Sequence, residues 1–137
     1  MEVLILGKNG EALGSTLALP SHALGYVGGG SSLADFYNAA DVFVTPSLQE
    51  NLPNTIMESL SCGVPCVGFE IGGIPEMIDH LSNGYVARYK SADDLARGIN
   101  WVLNEADYQA LCHNAREKAV SCYSEKVVAQ QYISLFK

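Results

Sequence analysis

The feature that most constrains this chain is the stretch from Asp41 to Glu76, DVFVTPSLQENLPNTIMESLSCGVPCVGFEIGGIPE. Val42-Phe43-Val44 is a short apolar run of the kind buried on both faces of a parallel sheet. Thr45-Pro46-Ser47 ends it, because proline donates nothing to a ladder. A polar loop follows from Leu48 to Leu52. Pro53 then stands where a first helical residue belongs, its φ already helical. The helix is expected to run to about Cys62, with Gly63 as its C-terminal cap. Val64 to Phe69 is the next buried strand. The unit is strand, loop, helix, strand, and the loop lies at the carboxyl end of a strand, where open α/β sheets bind ligands.

What such a loop can hold follows from the helix it leads into. Early helix positions lack intrahelical acceptors for their N–H groups. Pro53 has no N–H, so Asn54 and Thr55 present the first free backbone donors, a site suited to phosphate. Glu58 follows Asn54 by four residues and Thr55 by three, which puts it on the same helical face one turn along. Ile56 and Leu60 have a different phase and should face the core. A carboxylate at that distance accepts hydrogen bonds from hydroxyl groups. Glu50, in the loop before the helix, offers a second acceptor of the same kind. Two carboxylates flanking a helix N-terminus suit a ligand with hydroxyls at both ends and phosphate between, the layout of a nucleoside diphosphate sugar. On its own, one glutamate on a helix is usually just part of a solvated face. The surrounding frame is what singles this pair out.

That frame is PS-x-x-E-x-x-P-x-x-x-x-E-x-x-x-x-G-x-P, running from Pro46 to Pro65 and followed by GGIPE. It resembles the donor half of retaining GT-B glycosyltransferases of the large glycogen-synthase-like group. The resemblance implies that Glu50, the candidate catalytic residue, contacts the transferred sugar, and that Glu58 holds the ribose. It also implies that the amides of Asn54 and Thr55 hold the diphosphate. Asn51 and Leu52, where the family often has a glycine or aromatic pair, complete the loop's candidate donor contacts. The family's base-contacting loop follows a strand like LGYV. By resemblance, Tyr26, Val27 and Gly28 are therefore candidates for the base edge, although a flexible turn is the favoured reading of the Gly28–Gly30 run by composition alone. The implied reaction retains anomeric configuration and needs no bound metal or other cofactor.

The same resemblance matches Glu2–Gly7 to the second strand of such a domain. A first β-α unit, with the Arg and Lys that neutralise the leaving diphosphate, has no counterpart; Lys8 follows the wrong strand. An N-terminal acceptor-binding domain is likewise expected to be missing. The isolated chain is therefore expected not to transfer sugar, since electrostatic stabilisation usually contributes more to catalysis than any other effect. Open sheet edges would also invite pairing with a second copy.

The chain of 137 residues is long enough for one domain with a real core, read here as spanning 1–137 with helices from 91 to 137. Hydrophobic residues make up 48% and charged residues 17%, which excludes a disordered chain. A formal net charge of −7 argues against nucleic acid or an anionic membrane as partner. No apolar run is long enough to span a bilayer, and Met1-Glu2 does not open a signal peptide, so a cytoplasmic location is expected. Cys62, Cys66, Cys112 and Cys122 match no zinc spacing and read as reduced thiols.

The remaining elements follow the same logic. Glu2–Gly7, Ala23–Val27 and Tyr85–Tyr89 read as further strands. Helices are expected over Glu11–Leu19, through Ala39 with Ser31 as N-cap, and in short form starting at Pro75. Beyond Lys90, Ser91 and Asp94 have capping-box spacing. Stripes of Leu95, Ile99, Val102 and Leu103, then of Tyr108, Leu111, Cys112, Ala115 and Ala119, follow at helical spacing. Ser124 is read as the cap of a last helix, with Val128, Tyr132, Leu135 and Phe136 on one face and part of it exposed. Glu76 reads first as a local structural contact. The fold expected is α/β, a Rossmann-like, mostly parallel sheet of about five strands with flanking helices. Two other functions fit such a sheet: a non-catalytic nucleotide-binding or interaction module, and a fragment of a sugar-nucleotide epimerase. An epimerase needs acid–base residues at the sugar, and no histidine stands at this loop.

Overall fold

The computed structural model describes residues 1–26 and 31–137. The chain divides into two compact units, Met1–Phe36 and Tyr37–Lys137. The five strands are all parallel and fall into two sheets, β1-β2 in the first unit and β3-β4-β5 in the second.

In the first unit, β1 (Val3–Leu6) pairs with β2 (Ser21–Gly25), Val3 opposite Ser21. The second strand lies two residues earlier than its apolar pattern suggests. The Pro20 carbonyl accepts the Val3 N–H at 2.9 Å, so pairing starts as soon as the proline is passed. Helix α1 (Gly10–Gly14) is shorter than expected. The hydroxyls of Ser15 and Thr16 donate to the carbonyls of Ala12 and Leu13, at 2.8 and 2.7 Å, and end it. Helix α2 (Ser31–Asn38) carries the chain from the first unit into the second, and Ser31 is its first residue rather than the residue before it.

The second unit holds the stretch on which the sequence reading turns. β3 (Phe43–Thr45) pairs with β4 (Cys66–Phe69), and β4 with β5 (Gly84–Ala87). Between β3 and β4 runs α3 (Asn54–Ser61). Its end is a Schellman motif: Val64 N–H donates to Ser59 and Gly63 N–H to Leu60, with Gly63 at φ 73°. Helix α4 (Ile74–Met77) follows β4, and α5 (Ala92–Asn100) follows β5. A π-helical turn over Trp101–Glu105 continues α5, and α6 (Tyr108–Tyr123) and α7 (Glu125–Leu135) complete the chain.

Strand β4 is buried along its whole length, as expected for a strand covered on both faces. Cys66 packs with Ile56 and Leu60 of α3, Ile74 and Met77 of α4, and Ala115 and Ala119 of α6. Val67, on the other face, packs with Val102 and Leu111, flanked by Leu95, Ile99 and Trp101. Alternation along one strand thus feeds two cores. Burial pushes the Cys66 thiol up to about 12, partly offset by Ser59, which keeps this thiol neutral and inert. All four cysteines are free.

Asp94 ties β5 to α5. Ser91 caps α5 by accepting the Asp94 N–H at 3.2 Å. The Asp94 carboxylate, 7% exposed, takes the Arg88 N–H at 2.8 Å, the Tyr85 hydroxyl at 3.0 Å and the Arg97 guanidinium at 3.2 Å. The Arg88 amide, above all, holds this carboxyl below its ordinary value, with Tyr85 and the two arginines adding to it against the cost of burial. In contrast, α7 buries none of its residues, and the Ser124 side chain forms no capping bond to it.

Candidate functional site

The site begins where β3 ends. Thr45, buried, is the last strand residue, and its hydroxyl lies 3.1 Å from that of Ser47. Ser47 in turn donates to one Glu50 carboxylate oxygen at 3.3 Å. This short hydroxyl relay seats the Glu50 side chain from below, and Glu50 is half-buried.

The loop carrying Glu50 is gripped on two sides. The Tyr89 hydroxyl donates to the Leu48 carbonyl at 2.9 Å, and its ring sits edge-on to Phe69, the last residue of β4, with centroids 6.4 Å apart. The Gly73 N–H donates to the Asn51 carbonyl at 2.5 Å. Gly72, at φ 55°, lies against the Glu50 carbonyl so closely that a Cβ there would overlap it, and a Cβ on Gly73 would overlap the Asn51 carbonyl. The Gly72-Gly73 pair therefore does more than turn the chain. It lets the loop after β4 abut the backbone of Glu50 and Asn51.

Pro53 corrects one expectation. It is the N-cap residue of α3, extended at φ −71° and ψ 121°, not the first helical residue. Its φ suits either position; its ψ is what leaves the helix, and its carbonyl already accepts the Ile56 N–H at 3.2 Å. The consequence for the amides is unchanged. Among the described residues, the N–H groups of Asn54 and Thr55 have no acceptor, and no side chain caps them. Both residues are exposed, as are Asn51 and Leu52.

Glu58 projects from the next turn of α3 and is half-buried, while its neighbours Ile56, Ser59 and Leu60 are buried. One of its carboxylate oxygens accepts the Tyr37 hydroxyl at 2.9 Å. The other has no hydrogen bond among the described residues. The Tyr37 partnership was not read from the sequence. The available signal was general: a tyrosine on the buried face of a helix needs a partner for its hydroxyl.

Other candidates lie elsewhere. Tyr26 belongs to the first unit and is 88% exposed; Val27 and Gly28 lie outside the described residues. Glu76 is exposed in α4, a helix of four residues. His80 accepts the Val86 N–H at 3.0 Å and packs on Tyr85, which makes it structural. A hollow of about 340 Å³ in the first unit, lined by Glu11, Ser15 and Ser21 among others, contains none of the site residues. Among the described residues, no three His, Cys, Asp or Glu side chains group as a metal site. No helix among them is long and apolar enough to cross a membrane.

Open amides beside two seated carboxylates, at the carboxyl end of a parallel strand, give this geometry a family to be compared with. The profile of the family described as glycosyl transferases group 1 matches residues 7–120. The chain belongs to this family. A relative, the N,N'-diacetylbacillosaminyl-diphospho-undecaprenol alpha-1,3-N-acetylgalactosaminyltransferase of Campylobacter jejuni, is 31% identical over 136 residues, 98% of this chain and 36% of that protein. Sucrose-phosphate synthase from Thermosynechococcus elongatus superposes with a TM-score of 0.81 at 25% identity, covering 94% of this chain and 33% of that one. HepE of Anabaena, solved in complex with UDP-glucose, superposes with a TM-score of 0.82 at 21% identity, covering 97% of this chain and 40% of that one, and so shares the fold. The chain spans about a third of the length of the curated relatives it matches. Its α/β architecture is that of the C-terminal domain of a GT-B glycosyltransferase.

Proposed function

We propose that this chain is the donor-binding domain of a retaining glycosyltransferase that moves a sugar from a nucleoside diphosphate sugar to a glycan or lipid acceptor. The observation that carries the proposal is the pair of acceptor-free amides at Asn54 and Thr55. Such donors, with the positive end of the helix dipole behind them, favour a diphosphate. They matter more here because a net charge of −7 rules out global attraction of an anion. In this reading Glu50 meets the transferred sugar and Glu58 the ribose hydroxyls, with Asn51 and Leu52 beside the sugar. Among the described residues each carboxylate has an oxygen left to accept a hydroxyl. The cleavage step is a displacement at the anomeric carbon. The C–O bond to the diphosphate breaks and one to the acceptor hydroxyl oxygen forms on the same face, which retains configuration; the acceptor's proton passes to the leaving diphosphate, where negative charge accumulates. Binding requires no metal in this reading.

Calorimetric titration of the chain with UDP, GDP and ADP, and with their glucose conjugates, tests it. One nucleotide is expected to bind, unaffected by EDTA. Glu58→Ala should weaken the free nucleotide and its sugar conjugate alike, by roughly tenfold, the size of a lost hydrogen bond to a charged group. Glu50→Ala should weaken only the sugar conjugate. Binding that ignores both substitutions would place the ligand elsewhere and favour a non-catalytic module.

A further inference from the structure

Tyr37 meets Glu58 from a different helix, and the details of that meeting go beyond the roles given above. Tyr37 is 1% exposed, and its ring is held edge-on against Phe43 of β3, centroids 5.7 Å apart at 71°. A ring packed this way has one position for its hydroxyl. That hydroxyl donates to Glu58 Oε2 at 2.9 Å, while Oε1 has no hydrogen bond among the described residues. Burial, and then the Glu58 carboxylate itself, push the Tyr37 hydroxyl well above the ordinary tyrosine range. It therefore stays protonated, and a donor, at neutral pH.

A glutamate on a helix surface otherwise has three side-chain torsions to order when a ligand arrives. Ordering such a side chain costs binding free energy, and a side chain already fixed does not incur it. We infer that Tyr37 is a positioning residue for ligand recognition: it locks one oxygen of Glu58 so that the other is presented to the vicinal hydroxyls of a ribose. This rests on the ribose role of Glu58 proposed above. Its consequence is specific. Tyr37 should matter in proportion to the hydroxyls on the ligand, not to the ligand as a whole.

The test compares the full chain with Tyr37→Phe, which keeps the packed ring and deletes only the donor. The probes are the tightest binder among UDP, GDP and ADP, and its 2′,3′-dideoxy counterpart. The readout is the ratio of the two dissociation constants. In the unaltered chain the ribose form should bind more tightly. In Tyr37→Phe that preference should shrink by roughly threefold to tenfold, the factor associated with ordering one flexible side chain, with the dideoxy affinity unchanged. A preference that persists in Tyr37→Phe overturns the inference alone. Equal weakening of both probes also overturns it, since that is what a merely structural role would do. No preference in the unaltered chain, despite binding, removes the ribose role of Glu58 and the inference with it.

Discussion

Asp94 is the residue whose chemistry is most sharply set by its surroundings. It is a nearly buried carboxylate that accepts a backbone amide, a tyrosine hydroxyl and the Arg97 guanidinium, with the Arg88 guanidinium paired to it at 3.5 Å. Its folded-state pKa is lowered, so as pH falls the unfolded chain takes up the proton first. The stability it contributes is complete above the ordinary aspartate value of about 4. It is lost as pH falls from there through the depressed value. Asp94→Asn should be less stable than the parent at neutral pH and should lose less stability on acidification. Urea unfolding at pH 7 and at pH 3 checks this; parallel pH dependence in the two proteins would contradict it. Among the described residues, Glu50 and Glu58 differ from Asp94 in having one donor side chain each and an oxygen to spare. That contrast separates a carboxylate satisfied by its own protein from one left able to accept something else.

At the scale of elements, the loop from Leu48 to Leu52 depends on two later segments, the turn after β4 and the residues that follow β5. Gly72→Ala places a Cβ both in a left-handed conformation and against the Glu50 carbonyl. Gly63→Ala meets only the first difficulty, with its nearest heavy atom 3.5 Å away. Each should cost about 1–2 kcal/mol for handedness, Gly72→Ala more. Only Gly72→Ala should weaken binding of a nucleotide sugar, read by calorimetry alongside thermal unfolding. Equal effects of the two on binding would show that the glycine pair does not place the Glu50 loop.

The helix α3, its Schellman end at Gly63 and the buried strand β4 were legible in the sequence. Local signals fix all three: a proline, a glycine and an uninterrupted apolar run. The open amides of Asn54 and Thr55 were legible for the same reason. Pro53 was displaced by one position because φ, which proline fixes, does not distinguish the N-cap from the first helical turn; ψ does. Tyr37 on Glu58, Tyr89 on Leu48 and Gly73 on Asn51 were not legible, because each joins residues distant in sequence whose meeting only packing decides. The exposure of α7 was anticipated in part, and Phe136 is 87% exposed at its end.

For the molecule as a whole, the parallel strands, the family profile over residues 7–120 and the shared fold of sucrose-phosphate synthase agree on the C-terminal domain of a GT-B glycosyltransferase. The relatives are about three times as long as this chain, and in the reading proposed above the acceptor site lies outside the loop that holds the donor. The 137-residue chain is therefore predicted to bind a nucleotide sugar without transferring it. Incubation with donor and glycan or lipid acceptors, followed by mass spectrometry, should find no product; a glycosylated acceptor would refute this.

Amide-resolved NMR reaches the two open amides of α3 directly. In 15N-labelled chain titrated with the nucleoside diphosphate that binds, the cross-peaks of Asn54 and Thr55 should shift most, saturating together with the calorimetric binding curve. Inorganic pyrophosphate should move the same two peaks. If the nucleotide binds while both peaks stay in place, the helix N-terminus is not the diphosphate site and the donor-binding role assigned to it is wrong.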